Sequence, residues 1–297
     1  MSTWMRRLIY LLLGLAGGFA SWPAMELAIR FQERFPTYLL LSVVSGALFG
    51  AIFGLFFGLG DGVIAANTRR TISGGAVGFL WGLAGGAVGF FLGQWLLLLL
   101  GDFFLRRGMR TGEDALRLAR ILGWAVLGVF VGTTEGIRKR SGRKLATGLL
   151  AGFLGGALGG LILEYSSGFL TDAQSRPVGL ILFGALVALA YGLVEKSLAF
   201  GILRLLNGPF KGKEFILNQR SLSIGAAPSS DVPLFDYNRV MQRHAVLKAS
   251  GQDLSLVPGD PGSEVKHNDR QVPEQGVGPL KYGDVIQFGN AKLLYLP

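Results

Sequence analysis

The chain offers few groups for bond-making chemistry. It has two histidines, His244 and His267, and no cysteine among 297 residues. Disulfides, thiolate nucleophiles and thiolate metal sites are therefore excluded, and the redox compartment is left open. Two isolated histidines without a cluster of ligating carboxylates do not make a metal site. No nucleophile–base spacing stands out. The lone "GLGDG", Gly58 to Gly62, follows an apolar run and has none of the context of a phosphate loop. The expectation is no catalytic residue, no metal, no cofactor and no enzyme activity. Two other sets of residues could do chemistry. One is the cationic phrase "VMQRHAVLK", Val240 to Lys248, with Arg239 just before it and Arg243 inside it. Such cations could meet an anionic partner. The other is a series of polar residues within apolar segments: Glu26, Asp61, Gln94, Glu135, Glu164 and Glu195. Ionisable groups inside a membrane are costly and face a partner or a cavity.

The elements that carry these residues divide the chain in two. Half of the residues are hydrophobic and only 16% are charged. A soluble globule is usually about a quarter charged, so much of the chain is expected to face lipid. Six stretches are apolar and long enough to cross a bilayer: 7–29, 37–59, 74–100, 120–137, 145–165 and 178–199. The first has a short basic start, like a signal peptide, but stays apolar to Ile29 and is read as a retained helix. Six spans put both termini on one side. Arg6, Arg7, Arg69, Arg70 and "RKRSGRK", Arg138 to Lys144, share that side, which the positive-inside bias makes cytoplasmic. The same bias accounts for the net charge of +10. Segment 101–119, with Arg106, Arg107, Arg110 and Arg117, falls on the far side; it reads either as an amphipathic interfacial helix or as a sign of a misplaced span.

An internal repeat runs through this region. "GLAGG" at Gly14–Gly18 recurs at Gly82–Gly86 and, as "GFLGG", at Gly152–Gly156. The offsets are about 70 residues. Glu26, Gln94 and Glu164 stand at the same distance beyond each motif, and Asp61, Glu135 and Glu195 match near the ends of the even-numbered spans. The membrane half thus reads as three copies of one helical hairpin. Its glycines allow helix backbones to approach closely, because lipid supplies no hydrophobic force between helices. The acidic residues either form ion pairs near helix ends or line a proton or cation path.

From Glu214 the pattern changes to short alternating runs: "EFIL", "SLSIG", "VPLF", "HAVLKA", "DLSLV", "DVIQFG" and "AKLLYLP". Gly, Pro, Asn and Asp separate them. This predicts a β-sandwich of about 85 residues. The expected division is a transmembrane domain over 1–205, a linker over 206–213 and an all-β domain over 214–297. His267 has no suggestive partner spacing and is expected at the surface.

The residues of this tail resemble the forkhead-associated (FHA) domain family. That family has a strand ending in Gly-Arg, then "D-I-x-L", "V-S-R-x-H-A", an "S-x-N-G-T" loop and "L-x-x-G-D-x-I-x-x-G". This chain has "LSIGAAPSSDVPLFD", Leu222 to Asp236, then "VMQRHAVL", then "LKYGDVIQFGNAKLLYL", Leu280 to Leu296. The resemblance implies loops at one end of a sandwich that bind phosphothreonine. That ligand carries nearly two negative charges and three strong acceptor oxygens, and it calls for a guanidinium, a hydroxyl and N–H donors in a fixed fork. The matching positions here are changed. Gly225-Ala226 stands for Gly-Arg, Met241 for the phosphate-contacting serine, and Gln242 for the arginine after it. Ser263 and Asn268 are nearest to the missing "S-x-N-G-T" loop. His244 matches a histidine that ties loops together. Arg239, Arg243, Arg220 and Lys266 are the cations close to these loops.

The resulting expectation is a module in the inner membrane of a bacterium. Its FHA-like domain and both termini are cytoplasmic, and it docks a protein partner, phosphorylated or not, with weak or lost phosphothreonine dependence. The alternative is a small channel or transporter subunit with a regulatory FHA-like domain. The discriminating feature is whether the acidic residues face a wet cavity. Nucleic acid is not expected, since the basic residues are dispersed around the spans without an aromatic-bearing patch.

Overall fold

The computed structural model describes residues 3–106, 112–166, 171–251 and 253–297. The chain forms two compact units, one over Arg6–Val194 and one made of Glu195–Pro297 together with the residues before Arg6. Six helices come first: α1 (Thr3–Arg30), α2 (Tyr38–Ile64), α3 (Thr68–Arg106), α4 (Gly112–Arg138), α5 (Gly142–Ser166) and α6 (Asp172–Ser197). All six are long and apolar enough to cross a membrane by length and composition. The segment 101–119 does not form a separate surface helix. It is shared between the end of α3 and the start of α4, and only 107–111 lie outside the described residues.

Polar residues set the helix starts. The Thr37 hydroxyl accepts from the Leu40 N–H at the start of α2. The Asn67 Oδ1 accepts from Arg70 N–H at 3.0 Å at the start of α3, and Ser141 Oγ accepts from Lys144 N–H at 3.4 Å at the start of α5. The turns before α3 and α5 are built alike. Ala66 (φ 51°) and Arg140 (φ 49°) adopt the left-handed conformation. Their N–H groups donate to Val63 O and Ile137 O, each at 3.1 Å. The next N–H groups, of Asn67 and Ser141, donate to Gly62 O and Gly136 O, each at 3.0 Å. These bonds satisfy carbonyls that would otherwise end a helix unpaired.

Glycine seams join each even helix to an odd one. Gly46, Gly50, Gly54 and Gly58 of α2 meet the backbone carbonyls of Gly86, Gly82, Gly78 and Gly74 of α3, where a Cβ would otherwise stand. Gly128 and Gly132 of α4 meet Gly152 and Gly148 of α5, and Gly14 of α1 meets Gly184 of α6. A side chain at any of these places would push two backbones apart. Inside, Phe53, Phe183, Leu127 and Leu180 are fully buried, whereas Leu12, Phe19, Leu80, Leu98 and Leu193 point outward. An apolar exterior is what a bilayer accepts.

The second unit is a pair of sheets. In chain order its strands are β1 (Ile202–Leu205), β2 (Glu214–Ile216), β3 (Ser221–Gly225), β4 (Val232–Pro233), β5 (Ala245–Ser250), β6 (Asp253–Pro258), β7 (Val265–His267), β8 (Arg270–Gln271), β9 (Val285–Phe288) and β10 (Ala291–Leu296). One sheet has the order β2-β1-β10-β9-β7-β8, the other β4-β3-β5-β6. Alternate residues such as Leu222 and Ile224, Leu254 and Leu256, and Leu293 and Tyr295 enter one core, as a half-buried strand requires.

The sheet begins earlier than the expected boundary at 214. Strand β1 lies within the stretch assigned to the membrane domain, and it pairs with both β2 and β10. The stretch 206–213, expected as a linker, is the connection between two adjacent strands. It is docked: the Asn207 amide donates to Asn290 O and accepts from Lys292 N–H, each at 2.8 Å, and the Tyr237 hydroxyl donates to Asn207 O.

Candidate functional site: the loop end of the sandwich

Three connections meet around His244. The first leaves β3 at Gly225. A Cβ there would collide with the carbonyls of Met241 and Gln242, so only glycine lets the two loops touch. The Ala226 N–H donates to Met241 O at 2.8 Å, and the His244 N–H donates to Ile224 O at 2.9 Å. The second connection, 238–243, carries Arg239 in the left-handed region (φ 60°). The third, 259–264, is joined by Asp260 N–H donating to Arg243 O and Gly259 N–H donating to His244 O, each at 2.9 Å.

His244 is fully buried. Its Nδ1 accepts from the Met241 N–H at 3.0 Å, and its Nε2 lies 3.0 Å from the carbonyl of Glu264. Since Nδ1 accepts and the carbonyl can only accept, Nε2 carries the proton and the ring is neutral. One imidazole thus clasps the second loop to the third. Its edge also packs on Phe288, with centroids 5.8 Å apart. This is the geometry of a brace. The ring has no lone pair left over for acid–base work.

The residues expected around a ligand are partly assembled. Gly225, Ala226, Met241 and Gln242 are brought together by the bonds just described. Met241, Gln242, Arg239 and Arg243 are exposed, and the two arginines make no ion pair or side-chain hydrogen bond among the described residues. Ser263 belongs to the third loop, but its hydroxyl donates to Asp260 O at 2.6 Å and shapes that loop. Asn268 belongs to a different cluster. It sits with Asp269 in the β7–β8 turn, both at positive φ (49° and 63°), the conformation of a two-residue hairpin. Its side-chain oxygen accepts from Val285 N–H and its amide donates to Asp284, each at 2.8 Å.

His267 departs from the expectation of an unpaired surface residue. It is half-buried on β7, and its Nε2 stands 2.8 Å from Asp284 Oδ2. The partner lies far along the chain, so local spacing gave no signal. Asp284 also accepts from Lys281 N–H. Burial alone would raise the Asp284 pKa, but the Lys281 N–H, the Asn268 amide and His267 together hold the carboxyl below its usual range.

The polar residues of the helical unit are paired. Arg138 bridges the ends of α2 and α4, 2.6 Å from Asp61 and 3.0 Å from Glu135, and Lys139 lies 3.1 Å from Asp61. Glu26 pairs with Arg176 at 3.1 Å and accepts from the Trp22 indole at 3.2 Å. Gln94 donates to Ser42 at 3.2 Å, and Glu164 pairs with Arg120 at 3.2 Å. In the C-terminal unit Glu195 accepts from the buried Asn218 amide at 2.9 Å. The Arg138–Glu135 contact is an ion pair near a helix end of the kind expected, between residues three apart on one helix face, whereas the reach of Arg138 to Asp61 on α2 was not anticipated.

Comparison with known proteins bears on the C-terminal unit. A family model described as the cytoplasmic domain of an inner membrane component of the type III secretion system matches residues 204–297. An oxoglutarate dehydrogenase inhibitor from Corynebacterium jeikeium (strain K411) is 34% identical over 137 residues, covering 46% of this chain and 81% of that protein. The chain belongs, through its C-terminal domain, to the forkhead-associated family. The glycogen accumulation regulator GarA of Mycolicibacterium smegmatis (strain ATCC 700084 / mc(2)155) is also 34% identical, over 90 residues, covering 30% of this chain and 54% of that protein. Among solved structures, the FhaA FHA domain complexed with the intracellular domain of another protein is 26% identical, covering 32% of this chain and 97% of that one with a TM-score of 0.28. The cytoplasmic domain of the sorting-platform protein PscD from P. aeruginosa is 20% identical, covering 32% of this chain and 77% of that one, also with a TM-score of 0.28. FHA domains are interaction modules, and the loop end around His244 carries the exposed Arg239 and Arg243. The helical unit is not assigned to a family.

Proposed function

We propose that the protein is a membrane-anchored interaction module. The helical unit holds the FHA domain at the cytoplasmic face of an inner membrane, and the domain docks a protein partner largely without reading phosphate. Six apolar helices with basic residues at the turns Arg69–Arg70 and Arg138–Arg140 support the anchoring.

One observation carries the weak phosphate dependence. At the loop apex the chain places a methyl group at Ala226, a thioether at Met241 and a carboxamide at Gln242, where the family resemblance implies a guanidinium, a hydroxyl and a second guanidinium. The Met241 N–H is also already engaged by His244. A hydrogen bond to a charged group is worth about 1.5–3 kcal/mol. Losing two removes about 3–6 kcal/mol from the roughly 8 kcal/mol of a micromolar complex.

The test is partner capture on the full chain, with a cell lysate divided into phosphatase-treated and untreated halves. The same partner is expected from both halves. Loss of that partner after phosphatase treatment would mean that Arg239 and Arg243 have taken over the phosphate. A tag at the C-terminus exposed on the outer face of the membrane would overturn the cytoplasmic placement.

A further inference from the structure

The end of the helical unit where α2 turns into α3 and α4 into α5 gathers charges from several helices. Arg138, the last residue of α4, and Lys139 just beyond it stand 2.6 Å and 3.1 Å from Asp61 of α2, and Arg138 also stands 3.0 Å from Glu135. Lys144 of α5 completes the group. It is 3% exposed, and Gly136 of α4 packs directly on its backbone. Asp61 and Glu135 attract its ammonium from a distance, while Lys139 and Arg6 repel it. Among the described residues that ammonium makes no hydrogen bond and no ion pair.

The balance of charge is uneven. Both carboxylates are already held, Glu135 by Arg138 and Asp61 by Arg138 and Lys139. Three cations thus stand against two anions before Arg6 of α1, which acts on Asp61 and Lys144, is counted. Lys144 also lies in the first turn of α5, and the positive dipole end of a helix disfavours a cation. A buried charge is costly unless it is paired and hydrogen-bonded. An anion supplied from outside would meet the three N–H donors of the Lys144 ammonium. Lys139, whose side chain is 20% exposed, can turn to the same anion, because Arg138 still holds Asp61. A phosphate group suits this arrangement: it carries a full charge and has enough acceptor oxygens to meet both ammonium groups at once. Basic pockets between membrane helices also hold phosphate-bearing lipid headgroups.

We infer that this end of the bundle binds a phosphate group, carried by an anionic lipid headgroup or by free phosphate, with Lys144 as the buried anchor and Lys139 as the second cation. The test uses the full chain, freed of bound lipid in an uncharged detergent. Phosphatidylglycerol, diacylglycerol, inorganic phosphate, and chloride at matched ionic strength are titrated in turn, while the melting temperature and the bound mass in native mass spectrometry are followed. Saturable binding with a raised melting temperature is expected for a phosphate-bearing ligand, and not for diacylglycerol or chloride. A response to phosphatidylglycerol alone identifies a lipid headgroup, and a response to inorganic phosphate identifies the free anion. Lys144→Met should weaken the binding by about tenfold or more, and Lys139→Gln by about threefold. Arg69→Gln, which removes an exposed cation on the neighbouring turn, should leave it unchanged. The inference fails if neither phosphate-bearing ligand gives a saturable effect, if diacylglycerol or chloride matches them, if a folded Lys144→Met protein binds as the unaltered chain does, or if Arg69→Gln loses as much as Lys144→Met. If Lys144→Met is not monodisperse, the contrast of phosphate with chloride on the unaltered chain, and of Lys139→Gln with Arg69→Gln, decides the matter.

Discussion

Where the FHA domain begins has a measurable consequence. A fragment starting at residue 210 satisfies the expected boundary but deletes β1, the strand between β2 and β10 in the six-stranded sheet. It removes Phe200 (6% exposed), Leu203 (0%) and Leu205 (1%) from the core. Burying one large apolar side chain contributes about 1.5–3 kcal/mol, so the three together contribute about 4.5–9 kcal/mol. Domains are stable by only about 5–15 kcal/mol. The truncation also leaves the edges of β2 and β10 unpaired, a hazard for aggregation. Fragment 195–297 should therefore melt cooperatively, with dispersed amide resonances. Fragment 210–297 should show no cooperative transition and should aggregate on warming. A cooperative melt of 210–297 within a few degrees of the longer fragment would refute this account of β1.

Three further outcomes are expected. His244→Ala in fragment 195–297 leaves the Met241 N–H and the Glu264 carbonyl without their partner, each at about 1–3 kcal/mol, so urea unfolding should show a loss of about 2–6 kcal/mol; an unchanged midpoint would contradict the brace. Because the folded Asp284 pKa is lowered, its stabilisation is present above the unfolded value and is lost as pH falls through the carboxylate range. Asp284→Asn should flatten that acid-side loss in thermal melts, and an unaltered pH profile would count against the cluster with Asn268 and His267. In the helical unit, Gly50→Val and Gly82→Val each place a side chain against a facing backbone carbonyl; both should lower the melting temperature in detergent, whereas Gly142→Ala, with open space around it, should not.

Much of this architecture was legible in the residues. The six apolar stretches correspond to six helices because length and hydropathy are the main constraints on a spanning segment. The sandwich was legible from alternation at "SLSIG" and "DLSLV" and from the FHA-like phrases. Three strands escaped notice. β1, "ILRL", starts only four residues beyond the end of α6 and before the first clear turn signal, so it read as the tail of the membrane domain. β7 and β8 are very short, and their turn uses Asn268-Asp269 where a hairpin is most easily recognised by Asn-Gly. The role of His244 followed from its phrase. That of His267 did not, because its partner Asp284 is brought to it by the pairing of β7 with β9.

The most direct measurement is a titration of fragment 195–297 with a degenerate phosphothreonine peptide library and its unphosphorylated counterpart, alongside the Ala226→Arg/Met241→Ser double variant. The natural sequence should bind both libraries equally weakly, and the double variant, with a guanidinium and a hydroxyl restored on an intact His244 brace, should gain a clear preference for the phosphorylated peptides. Selective phosphopeptide binding by the natural sequence would contradict the account and would make Arg239 and Arg243 the phosphate-gripping residues.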